Sequence, residues 1–249
     1  MTSKGIKIVV LPDMHAHPDY DNKRFNLAGE FAAEQQPDVL VCVGDFADVT
    51  SLTEHNSKLE RSSKRWKLDK QVTKDAMATL MRPFYRRKRK MPQRVMCLGN
   101  HEHRVNRWVG EHPEFEGDMS VDDLGYRQFG WEVFPWKQYV EIAGWHFVHE
   151  VGTKSKVSTT ASSPKYGSRS QGVSIVHGHT HEYFCHPYPT RSGNMWAIDT
   201  GCWIHKDMGW QEGWSNPTEW RYWRGAWVIN NAKDGDGVPR PYSAEELGD

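Results

Sequence analysis

Short apolar runs recur along the first hundred residues and predict buried strands. Residues 6–11 read IKIVVL and end at Pro12, residues 39–43 read VLVCV before Gly44, and residues 95–98 read VMCL. Four apolar residues between the first two runs recur at helical spacing: Phe25, Ala28, Phe31 and Ala32. The pattern predicts a strand, a helix and a second strand in that order.

The second half of the chain changes to aromatic and β-branched residues. Residues 139–142 and 145–148 flank Ala143 and Gly144, which predicts a hairpin, and residues 174–176, 196–198 and 226–229 read as further strands. A long helix is predicted from about residue 59 to residue 85. The chain thus begins as α/β and ends mostly as β.

The predicted organisation is a single domain over residues 1–232. It contains a basic helical insertion at about 55–94 and a mobile loop at about 152–172, which is rich in Ser, Thr, Lys and Gly. Residues 233–249, with Asp-Gly-Asp-Gly and two prolines, are predicted to form an irregular C-terminal tail.

Composition describes a globular protein. The chain has 249 residues, 37% of them hydrophobic, and a mean hydropathy of −0.77, and this length suffices for a full core. The apolar run at 6–11 is too short for a membrane span or a signal-peptide core, so a cytoplasmic protein without a membrane partner is expected. The four cysteines are widely spaced and form no CxxC pair, which favours buried thiols over disulfides.

Several predicted strands end at residues that bind hard or borderline metal ions. Such side chains converge on one crevice when the strands are parallel, because their carboxyl ends share one edge of a sheet. Each short motif alone is weak evidence, whereas five in order, each after an apolar run, predict a metal site. The residues are Asp13, His15, Asp45, Asp48, Asn100, His101, His149, His179 and His181.

The ordered set Asp-x-His, Gly-Asp-x-x-Asp, Gly-Asn-His-Glu, a strand-end His and Gly-His-x-His resembles the signature of the calcineurin-like metallophosphoesterases. The match runs from Asp13 to His181 and covers most of the chain. The resemblance implies an α/β fold, a four-layer α-β-β-α sandwich of two mixed sheets flanked by helices. It also implies a two-metal site at one edge.

The resemblance further implies two ligand sets that share Asp45, whose two carboxylate oxygens can bridge. Asp13, His15, Asp45 and His181 would hold one ion, and Asp45, Asn100, His149 and His179 would hold the other. Nitrogen and oxygen ligands without thiolate suit first-row divalent ions. Two divalent metal ions are expected, with Mn first and Fe, Zn, Ni or Co as alternatives.

Such a site hydrolyses phosphate esters. Two ions about 3.5–4 Å apart hold a bridging hydroxide that attacks phosphorus. The resemblance makes His101 the catalytic group that protonates the leaving oxygen, with Asp48 as the residue that orients it. Arg104 and His177 are the predicted substrate-binding residues, Arg104 through a phosphate and His177 as a strand residue lining the cleft.

Charge is unevenly distributed although Lys plus Arg and Asp plus Glu both total 32. Residues 58–94 contain fourteen Lys or Arg and three acids, and both ends of this segment are expected to lie at the catalytic edge. A nucleic-acid partner and a solvated helix face both explain such a run, and both interpretations stay open. The charge totals alone exclude neither.

Four functional hypotheses follow. A phosphodiesterase acting on nucleic acid or a nucleotide is favoured, and a phosphomonoesterase acting on phosphoprotein or a small molecule is its closest rival. A non-catalytic binding or scaffold protein with the same fold would be expected to lack some ligands. An amidohydrolase barrel would use the His15-x-His17 pair and requires eight βα units.

Overall fold

The computed structural model describes residues 4–53, 65–151, 172–208 and 222–249. Three α-helices lie in these ranges: α1 (Lys23–Gln35), α2 (Trp66–Arg87) and α3 (Asn100–Glu111). Short 3₁₀ turns cover Thr50–Leu52, Pro113–Phe115, Val121–Leu124 and Tyr126–Phe129. No helix within the described ranges combines the length and apolar character that crossing a membrane requires.

The first sheet has six strands in the order β11-β10-β1-β2-β3-β4. Its strands are β1 (Ile6–Leu11), β2 (Val39–Cys42), β3 (Gln93–Cys97), β4 (Glu132–Phe134), β10 (Gly225–Lys233) and β11 (Asp236–Ser243). Strands β1 to β4 are parallel, whereas β10 is antiparallel to β1 and to β11. The carboxyl ends of β1, β2 and β3 therefore share one edge.

The second sheet has five strands in the order β5-β6-β7-β9-β8. Its strands are β5 (Val140–Ile142), β6 (Trp145–Val148), β7 (Ser174–His177), β8 (Tyr183–Thr190) and β9 (Gly193–Thr200). Strands β5 and β6 form the predicted hairpin, and β6, β7 and β9 are parallel. Strand β8 is an antiparallel edge strand.

The two sheets pack face to face, and one core fills the space between them. Val10, Val41 and Val95 of the first sheet are buried in one cluster with Phe147 and Val176 of the second. Opposite faces of β1, β2 and β3 pack on the three described helices in a separate cluster. This α/β sandwich of two mixed sheets confirms the predicted fold class and excludes an amidohydrolase barrel. Within the described ranges, the helical layer lies on the first sheet.

Two sequence predictions fail for reasons of topology. Residues 233–249 are not an irregular tail, because β11 pairs with β10 over residues 236–243; its Pro239 and Pro241 are tolerated on an edge strand. The basic segment 55–94 does not return to the catalytic edge, because the crossover from β2 must enter the parallel strand β3 at its amino end. Residues 54–64 and most of the predicted loop, residues 152–171, lie outside the described ranges.

Candidate metal centre

Strand ends from both sheets deliver the predicted ligands to one place. Asp13 and His15 follow β1, Asp45 follows β2, and Asn100 begins α3 directly after β3. From the second sheet, His149 follows β6, and His179 and His181 follow β7. The parallel order of these strands explains why residues as far apart as 13 and 181 meet.

Four of these side chains sit on backbone with positive φ. The φ angles are 47° at His15, 47° at Asp45, 77° at His179 and 59° at His181. Non-glycine residues seldom adopt such angles, and strained positions of this kind cluster at functional sites. The turn after β1 is fixed to the turn after β2, since the His15 amide donates to the Asp45 carbonyl at 2.9 Å.

The first ligand group consists of Asp13, His15 and His181, all buried. His181 Nε2 lies 3.2 Å from Asp13 Oδ2, and the His15 and His181 rings meet edge to face with centroids 5.2 Å apart. Among the described residues, Asp13 Oδ1 and His15 Nε2 have no hydrogen-bond partner although both atoms are buried. Unsatisfied buried atoms are costly, and a cation held by this group would satisfy His15 Nε2, because the other ring nitrogen of His15 is bonded to Asp48.

The second ligand group consists of Asp45, Asn100, His149 and His179. The Asn100 Oδ1 atom is 2.9 Å from both His149 Nε2 and His179 Nδ1, and His149 Nε2 is 3.2 Å from Asp45 Oδ2. The His149 Nδ1 atom is 3.0 Å from the Val43 carbonyl, which can only accept. The proton of that nitrogen therefore faces Val43, and Nε2 points at the ligand group.

His101 lies beside both groups, with its ring held from two sides. Its Nδ1 atom is 2.8 Å from both the carbonyl oxygen and Oδ1 of Asp48, and its Nε2 atom is 3.8 Å from Asp45 Oδ2. Asp48 Oδ1 also lies 2.9 Å from His15 Nδ1. The Asp48 carboxylate thus orients a predicted metal ligand and the predicted catalytic histidine together.

The histidines of the centre lower the pKa values of the neighbouring carboxyl groups. Burial raises the pKa of the Asp45 carboxyl, but the charges of His149 and His101 outweigh burial and hold it well below its usual range. Burial also raises the pKa of Asp48, while hydrogen bonds from His101 and His15 bring it well below normal. Both carboxylates are therefore ionised at neutral pH and available to a cation.

The two histidines of the second group are shifted in opposite directions. Burial lowers the pKa of His149, but Asp45 and Asp13 outweigh it and raise the pKa to about 10. Burial and the neighbouring His149 charge lower the pKa of His179 to about 3. A proton on His149 Nε2 thus occupies a position that a cation would take, whereas His179 is already neutral.

The donor set fits two divalent cations. Carboxylate oxygens, an amide oxygen and imidazole nitrogens are the ligands that first-row divalent ions accept, and the set contains no thiolate. The partnerless His15 Nε2 atom belongs to the first group, and Asp45 lies next to both groups. All seven predicted metal ligands are brought together.

Comparison with known proteins identifies the family of this chain. A sequence profile of the calcineurin-like phosphoesterases matches residues 6–216. The chain belongs to the calcineurin-like phosphoesterase family. It is also similar to the Gene 54 protein of Mycobacterium phage D29, with 25% identity over 207 residues, which is 78% of each chain. Among solved structures, a zinc complex of Vps29 from Entamoeba histolytica aligns with a TM-score of 0.41 and 10% identity, over 96% of this chain and 99% of that one.

The two predicted substrate-binding residues, His177 and Arg104, are more buried than residues that contact a substrate directly are expected to be. His177 has no exposed surface and faces Asp199, with His177 Nδ1 3.8 Å from Asp199 Oδ2. This position does not fit direct contact with a substrate, because β7 carries the side chain into the protein interior. Arg104 is 6% exposed and donates to the Asp48 carbonyl at 2.8 Å.

Sequence reasoning assigned no role to Glu102, which supports the turn that holds Asp45. Its Oε2 atom accepts from the amides of Asp45 and Gly99 at 3.1 and 2.9 Å. Its Oε1 atom accepts from the Ala47 amide and the Tyr126 hydroxyl, each at 2.9 Å. The only sequence signal was its place in Gly-Asn-His-Glu, where an acid in the first turn also reads as an ordinary helix cap.

Arg24 was also missed, and it supports the turn after β1. The buried Arg24 guanidinium donates from Nη2 to the carbonyls of Met14 and His15 at 3.0 and 2.7 Å. No local pattern indicated this role, because an arginine in an amphipathic helix is most often on the solvent side. Its contacts fix the backbone on which His15 stands.

Proposed function

We propose that this protein is a two-metal-dependent hydrolase of phosphate esters, with phosphodiesters as its preferred substrates. The observation that carries the proposal is the convergence of seven oxygen and nitrogen ligands from both sheets, with the buried, partnerless His15 Nε2 among them. Membership of the calcineurin-like phosphoesterase family supports it. The presence of the complete ligand set argues against a scaffold protein that has lost its site.

The residues of this protein would hold the metal ions, orient the ligand side chains and protonate the leaving oxygen. Two divalent ions, with Mn²⁺ as the proposed pair, supply water activation and charge neutralisation when bound. Asp13, His15, Asp45 and His181 would hold one, and Asp45, Asn100, His149 and His179 the other. The Val43 carbonyl and the Asp48 carboxylate fix the rings of His149 and His15, as outer partners of metal ligands commonly do.

We infer that His101 protonates the leaving oxygen from Nε2, the ring atom that faces the centre. Its Nδ1 atom stays bonded to Asp48, which keeps the ring in place. In the substrate-free structure Nε2 accepts from Arg104 at 3.0 Å, so this contact must give way when Nε2 carries the proton. His101→Asn should therefore lower kcat far more than KM.

The start of α2 supports an extended anionic substrate. Asp69, in its first turn, accepts from the Thr50 hydroxyl at 3.1 Å and from the Ser51 amide at 3.0 Å, which places this helix end just after the Asp48 turn. Lys67 and Lys70 lie on the same helix end, and Lys67 is exposed. Cations at this position can contact phosphates next to the one being cleaved. We propose a nucleic acid or nucleotide as the substrate class.

A Mn²⁺-supplemented substrate screen tests the function. Hydrolysis of bis-p-nitrophenyl phosphate should exceed that of p-nitrophenyl phosphate, and DNA, RNA and cyclic nucleotides then identify the substrate. Asp45→Asn should be inactive, whereas Gly110→Ala, on the outer end of α3 with no atom near its Cβ position, should retain full activity. A monoester-only profile would contradict the diester preference, and inactivity on every ester would contradict the enzyme itself.

The nucleic-acid preference has its own test. Removal of two positive charges near the centre, Lys67→Gln with Lys70→Gln, should raise KM for a polynucleotide. It should also reduce the slope of log affinity against log salt by about one unit per lost phosphate contact. The matched control, Arg89→Gln with Lys90→Gln, removes the same charge at the opposite edge. Equal effects of the two double variants would contradict this placement.

We also propose the cytoplasm as the location. All four cysteines lie in the described ranges and none is in a disulfide; three are buried and Cys185 is half-buried. Disulfides form in oxidising compartments and are rare in the cytosol.

A further inference from the structure

His101 has the position of a metal ligand without being expected to act as one. A third group of potential ligand atoms consists of His15, Asp45 and His101, and these atoms all lie within 4.8 Å of one another. The rings of His15 and His101 meet edge to face with centroids 4.5 Å apart. A divalent ion near Asp45 could therefore recruit His101, which would remove the nitrogen that the proposed reaction needs.

The Arg104 guanidinium is hydrogen-bonded to the Nε2 atom of His101. Its Nη2 atom lies 3.0 Å from His101 Nε2, and its Nη1 atom donates to the Asp48 carbonyl at 2.8 Å. A guanidinium has five N–H donors and no acceptor, so Nε2 must accept with its lone pair. The Nδ1 atom is bonded to Asp48 on the other side of the ring. Both ring nitrogens of His101 are thus engaged by protein.

In the substrate-free structure Arg104 is held in place by its surroundings. Residues 101 and 104 are three apart on α3 and share a helix face, and the first turn of α3 is fixed by the four hydrogen bonds of Glu102. Arg104 is 6% exposed and forms two hydrogen bonds in a fixed fork. Its positive charge beside Nε2 also disfavours a cation at that atom.

We propose that Arg104 is a positioning residue that keeps His101 out of the metal coordination shell, rather than a residue that binds substrate phosphate. This inference rests on the two-metal site proposed above. The guanidinium fork takes up the Nε2 lone pair and repels a cation there, so the ions are held by the seven other ligands. His101 then stays free of metal, and its Nε2 atom becomes available to the leaving group when the contact with Arg104 gives way.

Metal binding, measured without substrate, tests the inference. Mn²⁺ titrations followed by calorimetry and by bound-metal analysis should show two ions in the wild-type protein. Arg104→Met, which keeps an unbranched apolar stem and removes the charge and the donors, should bind a further ion or bind Mn²⁺ about tenfold more tightly. The double variant with His101→Ala should lose that gain, and Arg104→Lys, which keeps the charge, should stay close to the wild type.

A second measurement does not depend on the folding of Arg104→Met. His101→Gln in the wild-type background should leave the number and affinity of bound ions unchanged; a lost ion would overturn the inference, because His101 would then be a ligand. An Arg104→Met protein that binds the same two ions as the wild type, with a raised KM and unchanged kcat, would also overturn it in favour of substrate binding. A wild-type protein that binds no divalent ion would overturn the metal site as well as this inference.

Discussion

Substitution of Gly99 by alanine directs one methyl group at the residue shared by both ligand sets. A Cβ atom at position 99 would lie 2.0 Å from Asp45 Oδ1 and 2.5 Å from the Asp45 amide nitrogen. Gly99 is the residue before α3 and has φ −96° and ψ −175°, a conformation that alanine adopts without strain. The cost therefore comes from the contact alone.

The size of the effect follows from the distances. Cβ contacts under 3.0 Å essentially never occur, so the Asp45 carboxylate and the start of α3 must separate by at least about 1 Å. The bond from the His101 amide to Asp45 Oδ1, now 2.9 Å, would be lost. A hydrogen bond to a charged group contributes about 1.5–3 kcal/mol and overpacking costs about 1–3 kcal/mol, which gives a loss of about 2.5–6 kcal/mol. A displacement of about 1 Å at a reacting group can lower the rate about 100-fold.

Urea unfolding in EDTA measures the stability loss, and Mn²⁺ titration with steady-state kinetics measures the effect on the centre. Gly110→Ala in the same helix is the matched control: nothing lies within 4 Å of its Cβ position, so it should stabilise the helix by up to about 1 kcal/mol and leave metal affinity unchanged. A Gly99→Ala protein with wild-type metal affinity and turnover would refute the reasoning, since Asp45 would then tolerate the displacement.

Three further changes probe the support of the centre. Glu102→Gln places an NH₂ group opposite two of the four hydrogen-bond donors that the carboxylate now accepts from, and it should lower the free energy of unfolding in urea by about 2–4 kcal/mol. The control Tyr126→Phe removes only one of these donors and should cost about 1 kcal/mol. Equal stabilities of the two variants would contradict the role of the carboxylate. Because the pKa of His149 is raised to about 10, an ion that binds to His149 must displace a proton. The Mn²⁺ affinity should therefore rise with pH between about 7 and 9, and calorimetry in two buffers should show proton release. An affinity that does not depend on pH would contradict binding of the ion to protonated His149. The same raised pKa stabilises the metal-free protein fully below pH about 6.5, and this contribution is lost as pH rises through about 10. Thr180→Val removes the hydroxyl that donates to the buried Asp199 carboxylate and should lower thermal stability and metal affinity, whereas Thr180→Ser should preserve both.

The sheets could be predicted where burial on both faces made a strand uniformly apolar. Strands β1 and β2 are buried through their last four residues, and their sequences read as continuous apolar runs. Strands β8 and β11 lie at sheet edges, have no fully buried residue and each contain two prolines, so their sequences resemble irregular segments. Their pairing depends on neighbours distant in the chain, which no local pattern encodes.

The convergence of the candidate ligands could be predicted because each one follows a strand and metal chemistry restricts the residue types. The residues that support them could not, because their partners lie far away in sequence. Glu102 accepts from Asp45, 57 positions earlier, and the Arg24 guanidinium reaches the carbonyls of Met14 and His15 by folding back along the chain. Arg104 was identified from sequence as near the site, but only the distance to His101 Nε2 separates positioning from substrate contact.

The course of α2 changes what the charge distribution implies. At about 1.5 Å per residue the 22-residue helix is about 33 Å long, so the run of cations at 86–90 lies about 30 Å from the centre, where Arg86 and Arg87 pair with Glu30 and Arg87 also with Glu34. With a Debye length of about 8 Å at physiological ionic strength, this run contributes little to the field at the centre. The proposed pair of divalent ions, set against the carboxylates of Asp13, Asp45 and Asp48 alone, would leave one net positive charge on these groups. A small diester should therefore be turned over with little dependence on salt, and strong salt dependence is expected only for a polynucleotide long enough to contact Lys67 and Lys70 as well.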